Sequence, residues 1–297
     1  MHSAQLKLLQ LLSSKVSSLG IFDIGSDGGL KGGPLNALTS LKEAVTFNFE
    51  ANKNQPNQDD WIKSIKDNNT LARQKSIDVP FLADKSRNTR AFFEANKPQC
   101  SSCLLPDLEN LSDYHDINRF KTKDTYFLKS ISIDEISGAF GVAPLIVKID
   151  TQGFDLEVIK GMNASIQAFR PWIITEMNTM KFYKNQATIG TTSLYLEKRG
   201  YSLLKIFPCH HHMLTPDFGP NVMSFFDGLW IPEKSLALPL DHLYRELILH
   251  VAFGVCFSPR FMQTAHQVPE RDEIARLTNC FVEEYIETKI WPADHVH

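Results

Sequence analysis

The sequence lacks a long apolar run, a basic excess and an even set of cysteines. A membrane-spanning helix needs about 20 consecutive apolar residues, and the best apolar stretch, residues 247–257, is shorter and contains His250. Lys and Arg total 31 against 34 Asp and Glu, so the formal charge is −3. That balance is not typical of a general nucleic-acid-binding protein. Five cysteines are an odd number, which argues against a disulfide framework.

Length and composition are those of an ordinary globular protein. The 297 residues are 43% hydrophobic and 22% charged, as in soluble domains generally. At roughly 100–200 residues per domain, this length allows one large domain or two small ones. Residues 1–20 contain scattered Leu but neither a basic start nor a cleavage signal, so we interpret them as an amphipathic helix rather than a signal peptide. Together with the odd cysteine count, this favours the cytosol as the compartment.

Short apolar runs alternate with helical patterns between residues 20 and 235. Seven strands are predicted, at residues 20–25, 45–50, 77–84, 145–150, 172–176, 201–207 and 225–231. Helices are predicted at residues 35–44, 59–66, 154–161 and 191–199, the last two ending at Gly161 and Gly200 in a left-handed cap. This alternation favours an α/β fold with a mostly parallel sheet covered on both sides. Residues 86–130 break the rhythm and are interpreted as an insertion or lid, and residues 236–297 as a helical C-terminal extension.

An acidic residue lies at or near the end of each of the first three predicted strands. Asp23 precedes a glycine-rich turn with the spacing D-x-G-x-x-G, formed with Gly25 and Gly28. Glycines let a ligand approach the backbone closely, and Asp23 suits a cationic group better than a pyrophosphate. Glu50, after the second strand, could accept both hydroxyls of a ribose. Asp84 is a weaker analogue that suits an adenine amino group. The alternatives are that the D-x-G-x-x-G segment is only a glycine-rich surface turn and that Glu50 is only a solvated side chain at a strand end.

The most specific pattern is VKIDTQGFDLEVIKG, residues 147–161. A buried strand delivers Lys148 and Asp150 to one face by alternation, and Asp150 then lies at the strand's carboxyl end. Asp155 and Glu157 follow on the next helix. The end of this strand carries more polar groups than a turn requires, which indicates a functional site. The alternative for Asp155 is that it serves only as an acidic residue at a helix N-terminus.

Here the sequence resembles the FkbM-type methyltransferases, which depend on S-adenosylmethionine. KIDTQGFDLEVIKG resembles the family signature, FDIGSDGG the cofactor loop and FNFEAN the acidic strand end. LADKSRNTRAFFEANKPQCSSCLLPD, ISIDEI, IITEMNTMKFYKNQ, GYSLLKI and DGLWIP resemble further segments in the same order. The resemblance covers about residues 20–232, with Asp155 standing where the family usually has Glu. It implies a Rossmann-like, seven-stranded sheet with an insertion and a helical C-terminal extension.

The resemblance also implies a function: methyl transfer from S-adenosylmethionine to a hydroxyl of a sugar, glycan or polyketide-like metabolite. The expected cofactor contacts are Asp23, Gly25, Ser26, Asp27, Gly28, Glu50 and Asp84. Asp150, Gln152 and Glu176 are expected at the reacting centre, because a hydroxyl needs a base to remove its proton. Ser101 and Ser102 are expected to close over the acceptor. Asp150 and Glu176 could instead hold a divalent cation.

Two other functional classes stay open. One is an NAD(P)-dependent Rossmann oxidoreductase, against which the missing G-x-G-x-x-G spacing argues. The other is a non-catalytic module that retains the fold. Cys100-x-x-Cys103 has the spacing of a zinc or redox pair, and Cys209 with His210, His211 and His212 could complete a zinc site, but the separation of over 100 residues does not fit a compact zinc module. The histidines could equally form an exposed polar loop, and a dimer contact through residues 247–257 is compatible with the pattern.

Overall fold

The computed structural model describes residues 3–25, 33–67, 75–112, 116–208, 224–233, 238–256 and 258–288. Its strands are β1 Leu19–Ile24, β2 Ala44–Phe49, β3 Ser76–Val79, β4 Leu82–Ala83, β5 Asn88–Ala95, β6 Thr122–Ile131, β7 Pro144–Ile149, β8 Trp172–Asn178, β9 Tyr201–Pro208 and β10 Phe225–Pro232. Its α-helices are α1 Ser3–Ser13, α2 Gly33–Thr39, α3 Gln58–Asp67, α4 Ile133–Phe140, α5 Asp155–Lys160, α6 Asn163–Phe169, α7 Ile189–Glu197, α8 Leu240–Ala252, α9 Pro259–Ala265 and α10 Arg271–Thr288.

The main sheet has seven strands in the order β3-β2-β1-β7-β8-β10-β9. Strands β3, β2, β1, β7 and β8 pair in parallel, and β10 runs antiparallel to both β8 and β9. The predicted Rossmann-like, mostly parallel α/β fold is therefore confirmed. From β1 the chain proceeds outward to β2 and β3, and then returns to β7 and proceeds to the other side. The strand order reverses between β1 and β7, the place where open α/β sheets bind ligands beyond the carboxyl ends of their strands.

Both faces of the sheet are buried at its centre, as the apolar run at β7 predicts. Ile146 faces a first core that the sheet shares with α1, α2, α8, α9 and α10. Val147, the next residue, faces a second core shared with α4 to α7. Because successive side chains of a strand point to opposite faces, one apolar hexapeptide supplies both cores.

The predicted insertion is a folded element of its own. The run predicted as one strand at residues 77–84 is divided at Pro80 into β3, in the main sheet, and β4, in a second sheet. That second sheet has three strands in the order β4-β6-β5, of which β5 and β6 form a long antiparallel pair. Its loop at Ser102 reaches the exit of β7, where the Ser102 hydroxyl donates to the Gln152 carbonyl at 2.8 Å.

The structure corrects one predicted helix end. Gly200 has φ +72°, the left-handed conformation predicted for it, whereas Gly161 has φ −77° and is not a left-handed cap. Gly161 is needed for space instead, because a Cβ atom there would lie 2.1 Å from the Asp84 carbonyl oxygen. The first helix of the sheet is also shorter than the predicted 35–44 and ends at Thr39. Among the described residues, no helix has the length and apolar character that a membrane crossing would require.

Candidate active site

Strand register aligns five residues along the carboxyl edge of the main sheet. Ile24 pairs with both Phe49 and Ile149, and Ile149 pairs with Thr175. One residue further along each strand are Glu50, Gly25, Asp150 and Glu176, and Asp227 of β10 lies directly opposite Glu176. We call this set the carboxyl row: Glu50, Gly25, Asp150, Glu176 and Asp227. Four of its five members carry a carboxyl group, and the row crosses the point where the strand order reverses.

A cavity opens at the β2–β1–β7 half of this row. It encloses about 830 Å³ of empty space, including its open mouth, and is lined by Gly25, Glu50, Asp150, Gln152 and, from the insertion, Ser101. The remaining lining is mostly apolar and includes Phe49, Phe81, Phe92 and Phe154. Its lining combines apolar walls with a few polar groups, as the lining of small-molecule sites does.

Gly25 allows the exits of β1 and β7 to approach closely. Its φ is +81°, and a Cβ atom on it would lie 2.0 Å from the carbonyl oxygen of Asp150. The Asp150 amide in turn donates to the Ile24 carbonyl at 2.9 Å. Any side chain at this position would push Asp150 away from β1, so the first glycine of the turn fixes the position of the carboxylate.

Gln152 orients the Asp150 carboxylate. Its Nε2 donates to Asp150 Oδ1 at 2.9 Å, and its Oε1 accepts a hydrogen bond from the Tyr183 hydroxyl at 3.3 Å. Gln152 has φ +53°, a strained region for a residue with a side chain. The hydrogen bond from Ser102 to its carbonyl oxygen holds this conformation.

Asp155 supports the same turn from beneath. Its carboxylate is 4% exposed and accepts backbone N–H groups of Gly153 at 3.0 Å and Thr151 at 3.4 Å. Burial, with the nearby Asp150 as the second cause, raises the pKa of Asp155 to about 7. An aspartate in place of the longer glutamate therefore still reaches the turn and satisfies its amides.

The chain is similar to known proteins of one family. The family model of the methyltransferase FkbM domain matches residues 36–203, more than half of the chain. The chain belongs to the FkbM methyltransferase family. Among solved structures it matches methyltransferase FkbM from Methylobacillus flagellatus KT, with a TM-score of 0.39 and 14% identity, over 73% of this chain and 44% of that one. The chain thus spans less than half the length of that protein. No curated protein matches it.

In this FkbM family member, Glu176 continues the site beyond the cavity. It is half-buried and does not line the cavity. Asn178 Nδ2 donates to its Oε1 at 3.0 Å. Burial, followed by the charges of Asp150, Asp155 and Asp227, raises the pKa of Glu176 well above its ordinary value. Glu176 therefore retains its proton more readily than an ordinary glutamate does.

Two residues expected at the cofactor lie away from the cavity. Asp23 is fully buried, and its Oδ1 lies 3.6 Å from Lys148 Nζ on the neighbouring strand. Asp84 is also fully buried, where it accepts hydrogen bonds from Arg90 Nε at 2.6 Å and from the Ser130 hydroxyl at 3.4 Å. The Asp84 carboxylate thus joins β4 to β5 and β6 instead of facing an adenine, and Asp23 contacts the β7 lysine.

The two insertion serines have different environments. Ser101 lines the cavity, and its hydroxyl accepts the backbone N–H of Ala95 at 3.0 Å. Ser102 is 1% exposed and holds the Gln152 carbonyl, so it contacts the turn rather than an acceptor. The thiol of Cys100 is buried beside Arg119, and Cys103 lines the cavity wall.

Several expected residues lie outside the described part of the chain: Ser26, Asp27, Gly28, Cys209, His210, His211 and His212. Within the described part, no group of three or more His, Cys, Asp or Glu side chains is arranged to hold a metal ion. Sequence reasoning gave no role to three residues that the structure brings to the site, Tyr183, Asn178 and Asp227. Tyr183 lies in the segment IITEMNTMKFYKNQ and Asp227 in DGLWIP, both of which carry the family resemblance.

Proposed function

We propose that this chain is an S-adenosylmethionine-dependent O-methyltransferase that acts on a hydroxyl of a sugar, glycan or polyketide-like metabolite. The observation that carries the proposal is the cavity at the point where the strand order reverses, lined by Gly25, Glu50, Asp150 and Gln152. Membership of the FkbM methyltransferase family supports the reaction class. The cofactor and the acceptor hydroxyl are inferences from the chemistry of these residues.

The lining of the cavity suits the adenosine part of the cofactor. Glu50 is exposed at the carboxyl end of β2, where a carboxylate can accept the two hydroxyls of a ribose. Phe49, Phe81 and Phe92 provide an apolar wall for a purine ring. Gly25 leaves backbone space beside Asp150. When bound, S-adenosylmethionine would supply an electrophilic methyl group.

Asp150 is the proposed base. A neutral hydroxyl is a weak nucleophile, and a positioned carboxylate can accept its proton as the oxygen reacts. The hydrogen bond from Gln152 engages Asp150 Oδ1 and fixes the carboxylate plane, while Asp150 remains part of the cavity wall. Gln152 is thereby a positioning residue. Glu176, whose raised pKa favours its protonated form, can donate a hydrogen bond where Asp150 accepts one.

Calorimetry tests the cofactor part of the proposal. The wild-type protein is titrated with S-adenosylmethionine, S-adenosylhomocysteine and NAD, and the first two are expected to bind. Glu50→Gln should weaken both by about tenfold to a hundredfold, because a hydrogen bond to a charged group contributes about 1.5–3 kcal/mol. Glu43→Gln, which changes the glutamate at the other end of the same strand, should leave both affinities unchanged.

Two results would contradict the cofactor assignment. Tight binding of NAD without a response to the other two ligands would instead indicate a dinucleotide-dependent oxidoreductase. No binding of any of the three would indicate a module that has kept the fold without the chemistry.

A further inference from the structure

A second cavity lies at the edge of the main sheet opposite to the first cavity. Pro144 and Trp172, which begin β7 and β8, line it together with Pro232, the last residue of the antiparallel strand β10. The first cavity lies beyond the other end of β7, so the six residues of that strand, about 20 Å, separate the two. The second cavity encloses about 410 Å³ of empty space, including its open mouth. It is therefore outside the site of the proposed methyl transfer.

Basic side chains from three helical regions line this second cavity. Arg170 directly follows α6, Arg245 lies on α8 and Arg260 lies on α9. Three further lining residues have ionisable side chains: Glu233, His242 and Glu246. We call the space that these six residues line the arginine cavity. What it can bind depends on which of these groups already have partners.

Two of the three arginines are paired with carboxylates. Arg245, whose side chain is 8% exposed, donates through Nε to Asp241 Oδ2 at 2.5 Å. The Arg260 guanidinium is paired with the Glu246 carboxylate. Each of the two guanidinium groups also donates to a backbone carbonyl oxygen. These two ion pairs hold α8 and α9 in place and carry no net charge.

Arg170 has no such carboxylate partner. It is half-buried, and its Nη2 donates to the backbone carbonyl oxygen of Glu233 at 2.6 Å. Among the described residues, no carboxylate lies within ion-pair distance of it. The Glu233 carboxylate is directed towards β9, because its Oε2 lies 3.8 Å from the position that a Cβ atom on Gly200 would occupy. The wall of the arginine cavity thus contains a guanidinium group whose charge no described anion neutralises.

His242 adds a second polar group without a partner. It lies in the first turn of α8, and its Nδ1 is buried without a hydrogen-bond partner in the part of the chain that the structure describes. A buried polar atom that forms no hydrogen bond is costly. Arginine and histidine side chains both donate hydrogen bonds to carboxylate and phosphate oxygens, and these bonds are strong because they are charge-assisted. One oxyanion could therefore satisfy both groups.

We propose that the arginine cavity binds a small oxyanion, the carboxylate or phosphate group of a ligand, through Arg170 and His242. The planar guanidinium presents its N–H groups in a fork that matches two oxygens of such a group. The ion pairs of Arg245 and Arg260 leave a single uncompensated cation for it. A bound oxyanion would link the end of α6 to α8, and so connect the C-terminal helices to the sheet. This site is independent of the proposed cofactor site.

Thermal unfolding of the full chain tests the proposal. The midpoint is measured in sodium acetate, sodium phosphate and sodium chloride at equal ionic strength and pH, at millimolar concentrations where general salt effects are small. A ligand that binds only the folded state raises the midpoint with its concentration. Acetate or phosphate is expected to raise the midpoint in a saturable way, and chloride is not. The better of the two oxyanions indicates the head group of the ligand.

Variants locate the binding site. Arg170→Gln should raise the dissociation constant of the oxyanion by at least about tenfold, because it removes hydrogen bonds from a charged donor. His242→Phe should raise it by about threefold, as expected for the loss of one weaker bond. Arg199→Gln is the matched control, since Arg199 is another half-buried arginine without a carboxylate partner among the described residues, and it does not line the cavity. It should leave the dissociation constant unchanged.

Arg170→Gly guards against a variant that fails to fold. Arg170 has φ +51°, a conformation that glycine adopts without strain at a helix end. This variant should therefore keep the wild-type circular dichroism spectrum and lose the response to the oxyanion. Two outcomes would overturn the proposal: neither oxyanion raises the midpoint more than chloride does, or the folded Arg170 variants bind the oxyanion as tightly as the wild type.

Discussion

At the scale of single residues, the hydroxyl group of one tyrosine lies within hydrogen-bond distance of two oxygen atoms at the site. The Tyr183 hydroxyl lies 2.9 Å from the Cys100 carbonyl oxygen and 3.3 Å from Gln152 Oε1. When the amide oxygen of Gln152 faces this hydroxyl, its Nε2 must face Asp150, and the carboxylate is held as a hydrogen-bond acceptor. Tyr183 is 1% exposed and has no access to the cavity. We therefore interpret it as a positioning residue that acts through Gln152.

Tyr183→Phe should lower kcat by about tenfold and leave KM and cofactor affinity unchanged, because one neutral hydrogen bond contributes about 0.5–1.5 kcal/mol. Asp150→Asn should lower turnover much further and still bind cofactor. If Tyr183 acts through Asp150, adding Tyr183→Phe to Asp150→Asn should cause no further loss of the residual turnover. Tyr195→Phe on α7 is the matched control. Additive losses in the double variant, or equal changes in kcat and KM, would contradict the positioning role.

The sequence predicted those cavity-lining residues that follow from local pattern. Gly25, Glu50 and Asp150 each lie at the end of a clear apolar run, and the carboxyl ends of parallel strands meet at one edge of the sheet. The bonds of Tyr183 join Gln152 and Cys100, which are 31 and 83 residues away, and no local pattern carries such information. Asp84 was misplaced for a related reason, since its partner Arg90 belongs to a strand whose pairing with β6 the sequence does not reveal.

At the scale of elements, Gly161 shows how the same residue type can be needed for different reasons. Its φ of −77° would suit any residue, but its backbone contacts β4 so closely that a Cβ atom would lie 2.1 Å from the Asp84 carbonyl oxygen. The end of α5 therefore packs on the strand through a glycine contact. A left-handed cap was the natural expectation, because close approach between distant elements leaves no trace in local sequence.

Gly161→Ala should destabilise the protein by at least about 1–3 kcal/mol. The new methyl group would clash with backbone atoms of Asp84, which cannot move aside as a flexible side chain can. The control is Gly138→Ala within α4, where a Cβ atom would meet nothing within 4 Å. That change should stabilise the protein by about 0.5–1 kcal/mol, since alanine is the better helix former. Urea unfolding measures both, and equal effects from the two substitutions would be incompatible with the contact.

The sequence contains a capping pattern at the start of helix α4. Ser132 caps it by accepting the backbone N–H of Glu135 at 3.1 Å, the bond expected from the pattern Ser-x-x-Glu, and Gly141 ends it at φ +64°. The insertion offered no such signal. Its β5 and β6 pair across a gap of more than 25 residues, so their register depends on tertiary packing rather than on a short turn.

At the scale of the whole molecule, the two ends of the chain complete one core. Helix α1 packs on α8 and α10, and Glu284 of α10 accepts the backbone N–H of Ala4 at the start of α1. Trp172 of β8 lies with ring centroids 5.4 Å from Phe253 and 5.2 Å from His250. The sequence predicted helices at both ends but not that they cover one face of the sheet. We therefore propose that the described parts of residues 1–19 and 236–297 fold together with the described part of the domain at residues 20–235.

Leu247 tests that proposal, because it is fully buried in the first core, where α8 meets the sheet. Leu247→Ala should cost about 2–5 kcal/mol, the range for removing a buried leucine side chain. Leu194→Ala, at a position that is 52% exposed on α7, should cost little. Circular dichroism and tryptophan fluorescence should report one coincident unfolding transition that shifts as a whole in Leu247→Ala. A separate early transition confined to the helical signal would show instead that the C-terminal helices unfold independently of the sheet.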